Sequence, residues 1–411
     1  MRLNQSSQQA QEPSRNLRRE RRRWDDADNQ ALALGCLACA DFEFCGGIHK
    51  KQNHFSCLDD CCGNPDTCDA PCPKNMKGFI ERYREVDGFS LDNIPKANPI
   101  IARDVGDYIP LIYHGNRRKA PLTTAPIVAL PLHMFYSRKT GRPTFTSRAA
   151  VEARFCLGPD TRIILVGSGR DRPIEAWWGL SEQRSPIIAM LRSLGIAMVT
   201  SPNYSVFTDE PRYSDLYNIK RIGLTWQEIL SGGIPTALHI NARTQRDYER
   251  LGDFIAQRPE VGEIAFEFGT GANWPLRRAF HVQQLVQLAK NVERPLRLIM
   301  IGGFASLATL AKAYDAVTYV DTKPFMKALH RQRLYTSNEG VIKGKTELTE
   351  AGVPVDALLS DNIGFMRSKI EAIVNDARQS AAPDGNLPMQ TIPENELSGP
   401  IAQPLGRAAR R

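Results

Sequence analysis

Six apolar runs spaced along residues 162–321 constrain the fold of this chain more than any other feature. They are RIILVG (162–167), IAMVTS (196–201), PTALHIN (235–241), EIAFEFG (263–269), RLIMIGG (297–303) and AVTYVD (316–321). Each is short and largely apolar without clean alternation, as a strand covered on both faces requires. The segments between them carry helical spacing. Tyr213, Leu216, Tyr217, Ile219 and Ile222 recur three and four apart. So do Tyr248, Leu251, Phe254 and Ile255, opened by Thr244 as an N-cap and closed by Pro259. Phe280, Leu285, Leu288 and Ala289 continue the scheme, as do Leu307, Leu310 and Ala311. Two further runs, IIAR (100–103) and PIVALPL (126–132), bring the strands to eight. Strand–helix units repeated at this interval predict an α/β chain whose residues 95–345 form a (β/α)8 TIM-type barrel. A doubly wound open sheet is the alternative. A helical extension is expected over 346–380.

Outside the barrel the composition changes. Residues 1–30 are polar and crowd Arg15, Arg18, Arg19, Arg21, Arg22 and Arg23 together, as a solvated arm or a phosphate-contacting one would. Residues 381–411 are rich in Pro, Gly and Ala without periodicity and are expected to be disordered. The 53 Lys and Arg against 45 Asp and Glu give a net charge of +8, compatible with a nucleic-acid partner without requiring one. No stretch approaches the roughly 18 apolar residues of a spanning helix, and the N-terminus has no apolar leader core. A cytoplasmic protein with no membrane association is therefore expected.

Eight of the nine cysteines lie between Cys36 and Cys72. The order is Cys36, Cys39 and Cys45, then Cys57, Cys61, Cys62, Cys68 and Cys72, with His49 and His54 between. A reducing compartment does not keep structural disulfides, so the cluster predicts a small metal-binding module over 31–80. The Cys36/Cys39 pair has the bite that puts two thiolates on one zinc ion. Cys68-x3-Cys72-Pro73 instead resembles the end of a ferredoxin run, leaving an iron–sulfur cluster as the alternative. Reactive or disulfide-bonded cysteines are a third reading. The ninth, Cys156, is expected in the core as a small hydrophobe.

Catalytic groups of a barrel sit at the C-terminal ends of its strands. The third strand ends in Gly167, Ser168, Gly169, Arg170 and Asp171, and the fourth in Asn203 and Tyr204, with Asp209 beyond. The fifth supplies Asn241, the sixth Glu267, Gly269 and Asn273, the seventh Gly302 and Gly303, and the eighth Asp321 and Lys323. The glycines are expected to let a ligand approach the backbone, since the third glycine of a dinucleotide fingerprint is missing. Asn203, Asn241 and Asn273 either offer donor and acceptor to a base or sugar, or cap the helices that follow. Glu267, between Phe266 and Phe268, is either a carboxyl held protonated or one paired with an arginine. Asp321 ends an apolar strand and is expected at the mouth, ionised by Lys323, Arg331 and Arg333, as a nucleophile or general base. An N-cap is its alternative role.

The order of these features resembles the tRNA-guanine transglycosylase superfamily, over roughly 160–345. YDAVTYVDTKPFMKALHRQRLYTSNEGVI (314–342) is similar to that family's final-strand region, and RLIMIGG to its glycine-ended penultimate strand. The resemblance implies Asp321 as the nucleophile that displaces a base from C1′ of the sugar. It implies Asp171 as general base, with Asp209 as substitute, and Asn241 and Gly269 as holders of the base. Ser168, Asn203, Glu267, Gly302, Gly303 and Lys323 would complete the substrate site, and Tyr204, Trp274 or Phe304 would stack on an extruded base. The implied partners are nucleic acid, DNA ahead of tRNA, and a purine-like deazaguanine base. The family's zinc motif follows its last strand, whereas these cysteines precede the barrel. SPNYSVFTDEPR and CCGNPDTCD resemble uncharacterised phage- and plasmid-borne proteins.

Overall fold

A computed structural model describes residues 76–206, 212–269, 272, 275–347 and 352–380. The arginine arm, all eight clustered cysteines, Asp209, Asn273, Trp274 and the tail after 380 lie outside the described residues.

Seven of the eight expected strands exist, and with an eighth that the sequence did not mark they form one parallel sheet curled into a nearly closed barrel. They are β1 (Tyr108–Pro110), β2 (Ile127–Pro131), β3 (Arg162–Val166), β4 (Met198–Thr200), β5 (Thr236–His239), β6 (Glu263–Glu267), β7 (Arg297–Ile301) and β8 (Ala316–Asp321). The sheet order runs β1-β8-β7-β6-β5-β4-β3-β2. A doubly wound sheet reverses direction at its first strand, and this one does not. The circuit closes where Ile112 N donates to Ala129 O at 2.9 Å, beside a parallel bridge between Leu111 and Ala129.

Alternation along the strands separates two layers. Ile109, Ile164, Val166, Ala237, Ala265 and Val320 fill the barrel interior. Val128, Ile163, Leu165, Phe266, Val317 and Tyr319 face outward into the larger core beneath the helices. This burial of both faces is why the strands carry unbroken apolar runs.

The first strand is not the expected one. IIAR precedes it, with Ile101 94% exposed. Ala102 and Val105 instead turn into the lower end of the barrel. There Arg297 bonds Asp104 at 2.9 Å and Arg162 donates to the Asp104 carbonyl at 2.7 Å. The segment before β1 is thus a plug, held by inward arginines from the starts of β3 and β7.

The helices are α1 (Met76–Glu85), α2 (Arg148–Phe155), α3 (Asp171–Gly179), α4 (Arg184–Ser193), α5 (Arg212–Ser231), α6 (Gln245–Ala256), α7 (Pro275–Val292), α8 (Leu307–Ala313), α9 (Lys323–Leu329) and α10 (Asp356–Ser380). Thr244 caps α6 as expected, in a reciprocal box with Asp247. No helix connects β1 to β2. The long C-terminal α10 packs on β1, α8 and α9 and covers that flank. Its first turn is pinned to the β1–β2 crossover by Lys119 N donating to Asp356 Oδ2 at 3.0 Å. An antiparallel hairpin, β9 (Gln332–Thr336) with β10 (Ile342–Thr346), intervenes before it. Cys156 is not a core hydrophobe: it is half-buried and closes α2 in the left-handed region, at φ 52°. Among the described residues no helix is long and apolar enough to cross a membrane.

Two of the glycines after the strands are required by the fold, while Gly169 lines the upper cavity. Gly167 lies where an added Cβ would overlap the carbonyls of Thr200 and Ser201. Gly303 has φ 75°, and an added Cβ would strike the ring of Phe268. Gly303→Ala is expected to cost about 2–3 kcal/mol, combining left-handed strain with overpacking. Urea denaturation checks this, and an unchanged midpoint would show that Phe268 yields freely.

Candidate functional site

The upper, C-terminal end of the barrel opens into a cavity of about 1190 Å3. Tyr113 from the end of β1, His133 after β2, and Ser168, Gly169, Arg170 and Asp171 after β3 line it. Asn203 and Ser205 follow from β4, Asn241 from β5 and Glu267 from β6, with Arg277 and His281 on α7 and Thr322 after β8. Strand parity explains the selection. Glu267 continues the inward face set by Ala265, and Asn241 that set by Ala237.

Glu267 is the hub. Asn203 Nδ2 donates to Glu267 Oε2 at 3.1 Å, and Asn241 Nδ2 donates to Asn203 Oδ1 at 2.8 Å and to the Tyr204 carbonyl at 3.0 Å. Neither asparagine caps a helix; both are spent on this chain of amides. Burial pushes the Glu267 carboxyl above the usual range. Hydrogen bonds from Asn203 and Ser168 work against that shift, and the negative charge of Asp171 adds to it. No arginine pairs with it among the described residues. Asp171, the first residue of α3, is exposed at the rim and accepts a hydrogen bond from the Ser205 hydroxyl. Burial also raises the Tyr113 phenol, with the charge of Glu267 the second cause. The two lining histidines are kept neutral by burial: His133 lies below its ordinary value and His281 falls to about 3. His281 Nδ1 is 2.8 Å from the Tyr248 hydroxyl.

No protein-family model matches the chain, and no curated protein matches it. The functional reading therefore rests on this geometry.

Several expected site residues lie elsewhere. Asp321 shares the outward parity of Val317 and Tyr319 and does not line the cavity; inward Val320 and Thr322 flank it. Its Oδ1 accepts from Lys323 N at 2.8 Å at the start of α9, although the N-cap position itself is Thr322. Arg331 and Arg333 do not hold it ionised. Arg331 bonds the Val353 carbonyl, and Arg333 pairs with Glu347 and Asp361. Burial pushes Asp321 up to about 6, opposed by the Lys323 amide and ammonium.

Tyr204 is fully buried, with the Arg221 guanidinium 4.0 Å over its ring and Trp178 at its edge, so no base can stack on it. Its ring is taken up outside the barrel because the chain turns outward after Asn203, and its hydroxyl has no hydrogen-bond partner among the described residues. Gly269, Gly302 and Gly303 are outside the cavity lining, as are Lys323 and Phe304, which face each other at 5.8 Å. Among the described residues no group of three or more His, Cys, Asp and Glu is placed to hold a metal.

The sequence reading missed Tyr113, His133, Arg277 and His281. His133 stands two residues past β2 and was accessible to the strand-end rule. Arg277 and His281 lie on α7, whose inward turn no local pattern announces.

Proposed function

We propose that the mouth is the active site of a nucleic-acid base-modifying enzyme that cleaves or exchanges a purine-like base at its glycosidic carbon. The observation that carries this reading is a pair of carboxyls in unlike surroundings on one cavity: Glu267 biased by burial toward holding a proton, and Asp171 open to solvent. Glycosidic chemistry needs that asymmetry. Glu267 gives its proton to the leaving base as the C1′–N bond breaks, the bonding electrons departing with the base. The Asp171 carboxylate meets the positive charge developing at C1′ or bonds to it. An incoming base, deprotonated by the Glu267 carboxylate, then displaces Asp171. The second Asn203 Nδ2 hydrogen and the Asn241 Oδ1, the groups their mutual bonds leave over, supply one donor and one acceptor for a base edge.

The resemblance to transglycosylases supports the reaction class, while the geometry moves the nucleophile's role from Asp321 to Asp171. The preferred carrier is DNA, ahead of tRNA. Zinc on the Cys36–Cys72 segment belongs to this reading, with an iron–sulfur cluster as the alternative that a visible absorption band would reveal.

The test supplies labelled guanine with duplex DNA, single-stranded DNA or tRNA to the metal-replete full chain. Incorporation by wild type is expected. Glu267→Gln is expected to lower kcat roughly 100-fold or more with KM little changed, and to remove the fall in rate at high pH that accompanies loss of the acid's proton. Absence of incorporation with every polymer rejects the reading, and full activity in Glu267→Gln rejects the assigned proton donor.

A further inference from the structure

We propose that Arg277 forms a phosphate-binding subsite inside the mouth, taking a phosphate ester of the molecule on which Glu267 acts. Arg277 lies in the first turn of α7 and lines the cavity half-buried. Its surroundings disfavour a cation. Burial lowers its proton affinity, Tyr248 works against that shift, and the neighbouring Arg243 adds to it. Arg243 is itself satisfied by Asp215 at 2.9 Å, a pair in which both side chains are buried, so Asp215 is not left over for Arg277. Arg277 makes no ion pair or hydrogen bond among the described residues.

Other buried or half-buried arginines of the barrel are treated differently. Arg118 is paired with Asp356, Arg221 with Glu175 and Arg258 with Glu260, while Arg294 is spent on three backbone carbonyls. A partly desolvated guanidinium is costly unless an anion meets it, so Arg277 is suited to an anion from outside.

Two further arginines sharpen the ligand class. Arg138, after β2, and Arg170, after β3, line the same cavity from other walls, and neither has an ion pair among the described residues. With His133 and His281 kept neutral, the cationic charge on the lining is carried by these three guanidiniums. Planar forks of donors match the tetrahedral oxygens of a phosphate, and they match them better than point charges do. The dipole of the 18-residue α7 has its positive end at the turn that carries Arg277. The guanidiniums thus lie on the walls and the buried Glu267 carboxyl on β6, an arrangement for a molecule with a phosphorylated sugar and a basic or amide-bearing group. That a nucleoside carries the phosphate rests on the function proposed above; the phosphate subsite itself does not.

Titration calorimetry of the full chain with inorganic phosphate and with pyrophosphate tests this, using wild type, Arg277→Met, Arg277→Lys and, as an exposed control off the cavity, Arg154→Met. Saturable one-site binding is expected for wild type and Arg154→Met. Arg277→Met is expected to bind roughly ten- to a hundredfold more weakly, with partial recovery in Arg277→Lys. Free guanidinium is expected to restore binding to Arg277→Ala, a rescue that a misfolded variant cannot show. Absence of phosphate binding in wild type, or equal affinity in Arg277→Met, overturns the subsite. Base-exchange activity is a separate readout, so phosphate binding without exchange would sink the proposed reaction and leave the subsite standing.

Discussion

Asp321→Asn is expected to stabilise the protein at neutral pH by on the order of 2 kcal/mol. The carboxyl is buried on the outer face of β8 and titrates at about 6 instead of 3.8. Each pH unit between these values is worth about 1.4 kcal/mol, and the new buried amide donor takes back part of that gain. Asparagine keeps the acceptor that receives Lys323 N, while the other oxygen, Oδ2, has no hydrogen bond of good geometry among the described residues, the Tyr319 hydroxyl alone lying close enough to the carboxyl to favour its charge. A folded-state value above the unfolded one means that the favourable contribution is complete below about pH 4 and lost as pH rises through about 6. The advantage of the variant should therefore vanish toward pH 4 and reach its full size above pH 7. Urea melts of both proteins at pH 4, 5.5 and 7.5 measure it. Base exchange, where present, should survive in Asp321→Asn. A variant that loses exchange while gaining stability would return Asp321 to the reaction; one destabilised at every pH would show that its charge has a partner outside the described residues.

His239 carries the second large effect. It follows Ala237 on the inward face of β5, is paired in register with Ala265, and is fully buried. Neither ring nitrogen has a hydrogen-bond partner among the described residues. Burial drives its pKa down to about 3, and His281 falls to a similar value. For both, the unfolded chain takes up a proton near pH 6.5 and the folded chain does not. Stability is therefore intact above pH 6.5 and is lost as pH falls toward 3, by about 1.4 kcal/mol per pH unit for each histidine. Buried carboxyls such as Asp321 and Glu267 bend the wild-type curve the other way, so the clean quantity is a difference between proteins. His239→Leu is expected to match or exceed wild-type stability at pH 8. Its lead should widen by roughly 2 kcal/mol or more between pH 6.5 and 4.5, because one proton-linked penalty is gone. Parallel stability curves over that range would mean that the imidazole is protonated inside the barrel, and so has an anionic partner.

The placement of Glu267 shows how much of the candidate site was legible and where legibility stopped. Its position at a strand end and its two flanking phenylalanines marked it in the sequence as a carboxyl in an apolar setting, and the barrel puts it at the mouth. Asp171, Asn203, Asn241 and Ser168 were found by the same rule and meet on one cavity. Asp321 was found by that rule too and lies on the wrong side of its strand. A strand-end rule identifies the level of a residue in the barrel but not the face it occupies. Face depends on parity, and parity cannot be read from AVTYVD, in which both faces are buried and both sets of side chains are apolar or aromatic. Tyr204 failed for a related reason. One residue past Asn203 the backbone turns outward, and the ring is taken up by Arg221 and Trp178, partners far away in sequence.

By itself the sequence determined seven of the eight strands, the helices between β3 and β8, and the strand-end polar residues. Those features follow from local periodicity and capping, which neighbouring residues settle among themselves. Tertiary structure alone decided that IIAR plugs the barrel instead of joining it, and that α10 covers the flank where no crossover helix exists. It also decided that Arg277 reaches the mouth without a counter-charge among the described residues. Each of these depends on which distant groups bury which faces and neutralise which charges. Burial and long-range pairing are properties of the assembled barrel, and no window of residues contains them.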